Sequence, residues 1–312
     1  MRHARVRPDW QNTWHHAYNR TVGNSEDRPM ERQDKEKFIR ILHRVSKLYT
    51  VRVVAYQFMS NHFHLLLYAP KDLPTEEETC RRYEAFHNGK RQLTPGTPAC
   101  QAWQARLRDV SWFMRHLQHL CTVWYNRTRP IRRRGPLWAD RFKNTILQPG
   151  SALWACWTYI EYNPVRAGMV ANVADYRFCS YGAWAQSGKH PFAEDAMKYL
   201  IPALPESMTR LSLAALKARL RKKFAELFAE ERHKKVEEPG ALQSLSLTAT
   251  RRVRYWTDGL VIGTSLFVRD VMRRVRPADA VDKHRLAKSD DCAAEAEAER
   301  VCAWRRLRVI QT

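Results

Sequence analysis

The sequence predicts a mixed α+β fold whose elements follow the order β-α-β-β-α-β. Three observations predict it. Short β-branched and aromatic stretches mark the strands, two longer stretches carry apolar residues at helical spacing, and Gly, Pro and Asn residues separate these segments. The chain has 312 residues, enough for one large domain or for a core domain with an appendage.

The first half of the predicted core comprises a strand, a helix and two further strands. Residues 13–22 are aromatic and β-branched between Asn and Gly, which predicts the first strand. Residues 32–48 place five apolar side chains on one side of a helix, as expected for packing on a sheet. Residues 51–58 and 62–68 are two further strands, joined as a hairpin through 59–61.

The second half repeats the helix and the strand. Residues 70–104 contain several Pro and Gly residues, which predicts a surface insertion with one helix. Helical periodicity returns over 105–128, the second core helix. Residues 144–148 are predicted as a short strand, and a helix over 152–162 follows it.

The hairpin's second strand carries a pair of histidines. The two-residue period of a strand places His62 and His64 on the same face, roughly 7 Å apart at about 3.3 Å per residue. Two imidazoles at this separation can share one metal ion. A His-x-His pair is more often two hydrogen-bonded side chains than a site, so further residues must converge on it.

Charge predicts a polyanionic partner. The chain has 54 Lys and Arg residues against 32 Asp and Glu residues, a formal charge of +22. Nucleic acid is the first expectation, and a solvated basic surface or a membrane-surface protein is the alternative. The 11 Trp and 12 Tyr residues favour nucleic acid, because aromatic rings stack on unpaired bases.

A basic cluster precedes the predicted strand at 144–148. It comprises Arg127, Arg129, Arg132, Arg133, Arg134, Trp138, Arg141 and Lys143. Such a run is commonly a solvated loop. Arginines next to a Gly-Pro turn and an indole ring also provide phosphate contacts beside a stacking surface, and we favour DNA contact.

Other sequence features exclude several classes of protein. The seven cysteines form neither a CxxC motif nor a disulfide framework, so we expect reduced thiols. The basic N-terminus lacks the apolar segment of a signal peptide, and no apolar run approaches the length of a membrane span. We therefore expect a cytoplasmic protein without a membrane partner.

A phenol and an amide lie together in the helix at 152–162. Tyr159 and Asn163 are four residues apart and share one helix face, and Pro164 favours a helix end at Asn163. A buried tyrosine followed by a C-capping asparagine is the simpler interpretation.

Three segments in this order resemble the single-tyrosine HUH transposases, and among them the REP-associated tyrosine transposases. The segments are 61–67 (NHFHLLL), 134–138 (RGPLW, followed by RFK at 141–143) and 159–170 (YIEYNPVRAGMV). The resemblance covers about residues 8–185, with a further match near 255–271.

The resemblance implies a ferredoxin-like β-α-β-β-α-β core with an antiparallel sheet, and a catalytic tyrosine on the helix after its last strand. In this sequence His62, His64 and Asn163 match the metal ligands, and Tyr159 matches the nucleophile. Tyr162 stands where relatives commonly have an aliphatic residue, so it is the alternative nucleophile.

The resemblance also implies a reaction. Tyrosine attack on a DNA phosphate would give a 5′-phosphotyrosine and a free 3′-OH, with Mg²⁺ or Mn²⁺ as cofactor. The implied partner is single-stranded or hairpin DNA of the REP-like palindromic type, with no small-molecule substrate and a nucleoid-associated location. We expect a monomer, with a dimer as the alternative. Two other functions stay open: a hairpin-binding protein without catalysis, and a metal-dependent nuclease that uses water.

Four regions are predicted. The catalytic domain spans 8–185, and a helical connector spans 190–245. A small helical segment over 246–278 is either a DNA-contacting helix-turn-helix or a packing appendage. Residues 279–312 lack a core pattern and are predicted to be a mobile tail.

Overall fold

The described residues form a mixed α+β fold, as predicted. The structure is a computed structural model of the 312-residue chain. It describes residues 8–23, 29–237, 256, 259–275, 287–288 and 301–305. Within these ranges, no helix has the length and apolar character required to cross a membrane.

The strands and helices have the following bounds. The strands are β1 (Thr13–Arg20), β2 (Arg52–Phe58), β3 (His62–Ala69), β4 (Lys143–Leu147), β5 (Gly259–Thr264), β6 (Ala287–Lys288) and β7 (Val301–Arg305). The helices are α1 (Arg32–Leu48), α2 (Glu76–Phe86), α3 (Pro98–Leu107), α4 (Val110–Arg127), α5 (Ser151–Arg166), α6 (Ser180–Ser187), α7 (Ala193–Asp195), α8 (Leu213–Glu237) and α9 (Ser265–Val275).

The first four strands form the predicted ferredoxin-like core. Their order in the sheet is β2-β3-β1-β4, and every neighbouring pair is antiparallel. In this order, the connection from β1 through α1 to β2 passes over β3, and the connection from β3 through α4 to β4 passes over β1. The central position of β1 places its side chains between those of β3 and β4.

The two faces of the sheet have different roles. Phe63 of β3 lies on the face covered by α1 and α4, where Phe38 and Trp138 pack, with a Phe63 to Trp138 ring distance of 5.1 Å. His64, the next residue, points to the opposite face because side chains alternate along a strand. That face is covered by α5, so the histidine pair lies beneath the helix that carries Tyr159.

The C-terminal segments extend the sheet, which corrects two predictions. Residues 259–264 lie within the segment 246–278 that was predicted to be helical, but they form β5, parallel to β4. An apolar run between glycines is typical of a buried strand, and its partner lies more than 100 residues away. The expected tail, 279–312, contributes strands β6 and β7. The other residues of 276–312 lie outside the described residues, as do 238–255.

The insertion contains α2 and α3 where the sequence predicted one helix. The predicted second core helix, 105–128, is split between α3 and α4. The Asp109 carboxylate accepts hydrogen bonds from the backbone of Ser111 and Trp112, which caps α4 and fixes its beginning at Val110.

Helix α5 continues through Pro164 to Arg166, whereas the sequence favoured an end at Asn163. Proline cannot donate a hydrogen bond to the carbonyl of Ile160. The side-chain amide of Asn163 donates to that carbonyl at 3.4 Å instead. This replacement explains how the helix accommodates the proline.

Candidate active site

Helix α5 brings Tyr159 against two imidazoles. The ring of Tyr159 lies edge-on to His64, with a centroid distance of 5.8 Å, and edge-on to His16 at 6.1 Å. His62 lies next to His64, with ring centroids 5.2 Å apart. His64 is only 1% exposed, whereas Tyr159 and His62 are partly exposed. The predicted histidine pair and the predicted tyrosine therefore share one site.

Sequence reasoning missed His16, the third imidazole. Its Nε2 lies 2.8 Å from Nδ1 of His64, and the two rings stack at 5.0 Å. Strand pairing places Tyr18 opposite His64, so His16, two residues away, points to the same face. The sequence shows that His16 and Tyr18 share a face of β1. Only the pairing of β1 with β3 shows that this face also carries His64.

The hydrogen bonds of His16 fix the proton positions. Its Nδ1 lies 3.1 Å from the carbonyl oxygen of Trp256, which only accepts, so Nδ1 carries a proton. Burial lowers the pKa of His16 to about 4, so the ring is neutral near pH 7 and its Nε2 accepts. Nδ1 of His64 must therefore donate to His16. Nε2 of neutral His64 is left unprotonated.

His62 reaches the same protonation pattern through a different neighbour. Its Nδ1 lies 2.7 Å from the amide oxygen of Asn61, which accepts the hydrogen bond. Nε2 of neutral His62 is then unprotonated. Metal-binding histidines commonly donate their second ring nitrogen to such a partner, which sets the tautomer and the ring orientation.

Arg166 and Trp256 surround Tyr159. The guanidinium carbon of Arg166 lies 4.6 Å from the centre of the Tyr159 ring, and the Trp256 ring stacks on it at 5.5 Å. Burial raises the pKa of Tyr159, and the positive charge of Arg166 opposes that shift. Neither neighbour was singled out from the sequence.

Asn163 is 4% exposed and lies one helical turn from Tyr159. Its amide oxygen accepts a hydrogen bond from the Arg166 guanidinium. The oxygen has two lone pairs, so this bond is compatible with coordination of a cation. An amide oxygen and two unprotonated imidazole nitrogens are donor types that divalent metal ions accept. Among the described residues, no cluster of three His, Cys, Asp or Glu side chains is arranged to hold a metal ion.

Tyr162, the alternative nucleophile, occupies a different environment. Its side chain is 6% exposed, and its ring stacks on Phe224 of α8 at 6.2 Å. Tyr159 is the phenol that contacts the imidazoles. The choice of Tyr159 as nucleophile remains a prediction.

The predicted basic cluster divides into exposed and anchored side chains. Exposed positions are Arg127, Arg132, Arg134 and Arg141. Lys143 and Trp138 are partly exposed, and the Trp138 indole N–H donates to the carbonyl of Gln118 at 3.1 Å. Arg133 donates to Asn126 and to the carbonyl of Pro136, so it holds the loop together.

Arg129 has a structural partner, and its assignment to the DNA surface stays a prediction. Its guanidinium pairs with the carboxylate of Asp34, a residue with no solvent exposure, and lies over the ring of Tyr125 at 3.9 Å. The Arg129 side chain is 17% exposed. It links the end of α4 to the beginning of α1.

Comparison with solved structures gives distant similarity. No family model matches the chain, and no curated protein matches it. A solved structure of a REP-associated tyrosine transposase bound to a REP hairpin is 15% identical, with a TM-score of 0.37, over 62% of this chain and 90% of that one. A likeness at this level leaves the function to be argued from the residues.

Proposed function

We propose that the protein cleaves and rejoins single-stranded DNA through a covalent bond to Tyr159. The observation that carries this proposal is the position of the Tyr159 phenol, edge-on to His64 and His16 and beneath the Arg166 guanidinium. A phenol, neutral imidazoles and a fixed cation together suit attack on a phosphodiester.

The reaction preserves the number of bonds to phosphorus. The phenolic oxygen of Tyr159 forms a bond to phosphorus while the bond from phosphorus to the 3′ oxygen breaks. The phenol loses its proton and the 3′ oxygen gains one, so the products are a 5′-phosphotyrosine and a free 3′-OH. Attack by a 3′-OH on the phosphotyrosine reverses these changes and joins the strands.

Arg166 is positioned to stabilise negative charge in this step. Its guanidinium contacts the Tyr159 ring and the Asn163 amide oxygen, so a phosphate that reaches the phenol would lie near a positive charge. His62, His64 and Asn163 would hold Mg²⁺ or Mn²⁺. When bound, the ion would withdraw charge from a phosphate oxygen.

Hairpin DNA is the proposed substrate because two observations coincide. The exposed arginines Arg132, Arg134 and Arg141 lie in the segment that leads to β4, beside the partly exposed indole of Trp138. The motifs that resemble REP-associated transposases imply palindromic ends. Phosphate contacts beside a stacking ring suit the junction between paired and unpaired DNA.

The test compares two tyrosine variants on labelled single-stranded hairpins taken from DNA that flanks the gene. Denaturing gels with Mg²⁺ or Mn²⁺ should show a protein–DNA adduct with the wild type and with Tyr162→Phe, and none with Tyr159→Phe. Hairpin binding by Tyr159→Phe should stay within a few-fold of wild type, because the ring remains. An adduct that persists in Tyr159→Phe and disappears in Tyr162→Phe would refute the assignment.

Two other outcomes would replace the proposal. Cleavage by the wild type without an adduct would favour the water-using nuclease. Binding of several hairpins without any cleavage would favour a DNA-binding protein that lacks catalysis.

A further inference from the structure

A cavity lies on the face of the sheet that carries α4, opposite the tyrosine site. Its volume is about 660 Å³, within the range of ligand pockets. Residues that line it include Trp112, Arg115, Gln118, His119, Trp138 and Arg141. Trp138 contacts Phe63, whose side chain points away from His64. The cavity is therefore separate from Tyr159.

The lining of this 660 Å³ cavity combines aromatic rings with positive charge. Trp112 and Trp138 supply two partly exposed indole rings. Arg115 and Arg141 are exposed at its edge, and the guanidinium carbon of Arg115 lies 5.0 Å from the centre of the Trp112 ring. None of the described residues that line the cavity is acidic. This combination suits a flat ring attached to an anion.

Gln118 adds a hydrogen-bond donor to the same cavity. Its backbone carbonyl accepts from the Trp138 indole at 3.1 Å and from the Thr122 hydroxyl at 2.8 Å. Its side-chain Nε2 is buried and has no hydrogen-bond partner among the described residues. A buried donor without an acceptor is unfavourable, and a ligand that presents an acceptor here would remove that cost.

We propose that this cavity binds one unpaired base of the DNA substrate. The base stacks on an indole ring, an acceptor on its edge meets Nε2 of Gln118, and the adjacent phosphates lie near Arg115 and Arg141. This inference rests on the proposed function, since it names a second contact for the same DNA. It adds Trp112, Arg115 and Gln118 to a surface that sequence reasoning confined to 127–143.

The test uses hairpins with a single-stranded flank in which each unpaired nucleotide is replaced in turn by an abasic site. Affinity is measured by fluorescence anisotropy at constant salt. One abasic position should weaken binding to the wild type by about tenfold, because one stacked base is lost. The same abasic position should have no further effect on Trp112→Ala, whose affinity for the intact flank is already reduced.

Two variants separate stacking from misfolding. Gln118→Leu, which keeps the side-chain volume, should weaken binding of the intact flank and leave binding of the abasic flank unchanged. Trp103→Ala, a partly exposed tryptophan on α3 that does not line the cavity, should retain the wild-type sensitivity to the abasic position. An abasic effect of equal size in the wild type and in Trp112→Ala would overturn the proposal.

The same oligonucleotides distinguish this inference from the proposed function. Formation of a Tyr159 adduct with no sensitive abasic position would refute the base cavity alone. A sensitive position that disappears in Trp112→Ala, with no adduct under any condition, would support the cavity and refute the proposed catalysis.

Discussion

At the scale of single residues, the site depends on a histidine that contacts no substrate in the proposed reaction. His16 accepts from Nδ1 of His64 and thereby leaves Nε2 of His64 unprotonated, as the proposed metal binding requires. His16→Phe removes the acceptor and keeps a ring, so we expect Mn²⁺ affinity to fall about 10- to 100-fold, measured by isothermal titration calorimetry.

His15 provides the matched control for that experiment. It precedes His16 on β1 but points to the other face, where its ring contacts Thr13 and Asn144. His15→Phe should leave Mn²⁺ affinity unchanged, and His16→Gln, which keeps an acceptor oxygen, should restore part of it. Equal Mn²⁺ affinity in His16→Phe and the wild type would show that His16 does not position His64.

Two arginines from one basic segment should behave differently. Arg129→Ala leaves the buried Asp34 carboxylate without its partner, so we expect the free energy of unfolding to fall by about 3 to 5 kcal/mol. Arg132→Ala removes an exposed charge, so stability should be unchanged while the salt dependence of DNA binding falls by about one unit in slope. Urea denaturation and DNA titrations at several salt concentrations measure the two effects.

Either variant could contradict this prediction. A loss of DNA affinity in Arg129→Ala at unchanged stability would mean that Arg129 contacts DNA and has no structural role. Reduced stability in Arg132→Ala would mean that this guanidinium also has a structural role.

At the scale of elements, α5 is held in place by a buried carboxylate. Glu161 accepts hydrogen bonds from the Trp157 indole at 3.2 Å, from the backbone of Tyr181 at 3.0 Å and from the Ser180 hydroxyl. Burial raises the pKa of Glu161, and these donors oppose that shift. The carboxyl group thus joins α5 to the beginning of α6.

Removing that group should loosen the helix that presents Tyr159. Glu161→Ala leaves buried donors unsatisfied, and we expect a loss of about 3 kcal/mol in the free energy of unfolding, with less adduct formed. Chemical denaturation measures the first effect. Glu194→Ala, at an exposed position, should show neither change. A Glu161→Ala protein as stable as the wild type would mean that these bonds contribute little.

Local signals explain which elements the sequence could predict. Helix α1 has the predicted bounds, because its amphipathic pattern is complete within the segment. His62 and His64 were found together for the same reason, since two residues of one strand share a face. His16 was missed because it lies 48 residues from His64, and no local sequence pattern indicates which strands pair. The strand β5 was missed because its parallel neighbour β4 lies far away in sequence.

At the scale of the whole molecule, buried neutral histidines should make stability depend on pH. Burial lowers the pKa to about 4 for His15, His16, His116 and His190. The unfolded chain binds protons at these histidines below pH 6.5, while the native state stays neutral until about pH 4. The unfolded state therefore binds more protons in this window, and stability falls as pH falls.

We expect the free energy of unfolding to decrease from pH 7 to pH 5, with each buried histidine contributing at most about 1.4 kcal/mol per pH unit near the lower end. Glu161 acts in the opposite direction, because its raised pKa lets the native state take up a proton first. Urea denaturation at half-unit steps of pH measures the slope. The four histidines should dominate it together with His64, whose pKa burial also lowers.

His190 allows one contribution to be isolated. Its Nδ1 accepts from the backbone of Phe192 at 3.1 Å, and its ring packs edge-on against Trp184. His190→Asn retains an acceptor but cannot take up a proton, so the slope between pH 7 and pH 5 should become shallower, even if stability at pH 7 also falls. An unchanged slope in His190→Asn would mean that His190 takes up no proton on unfolding, and that the uptake occurs at other groups.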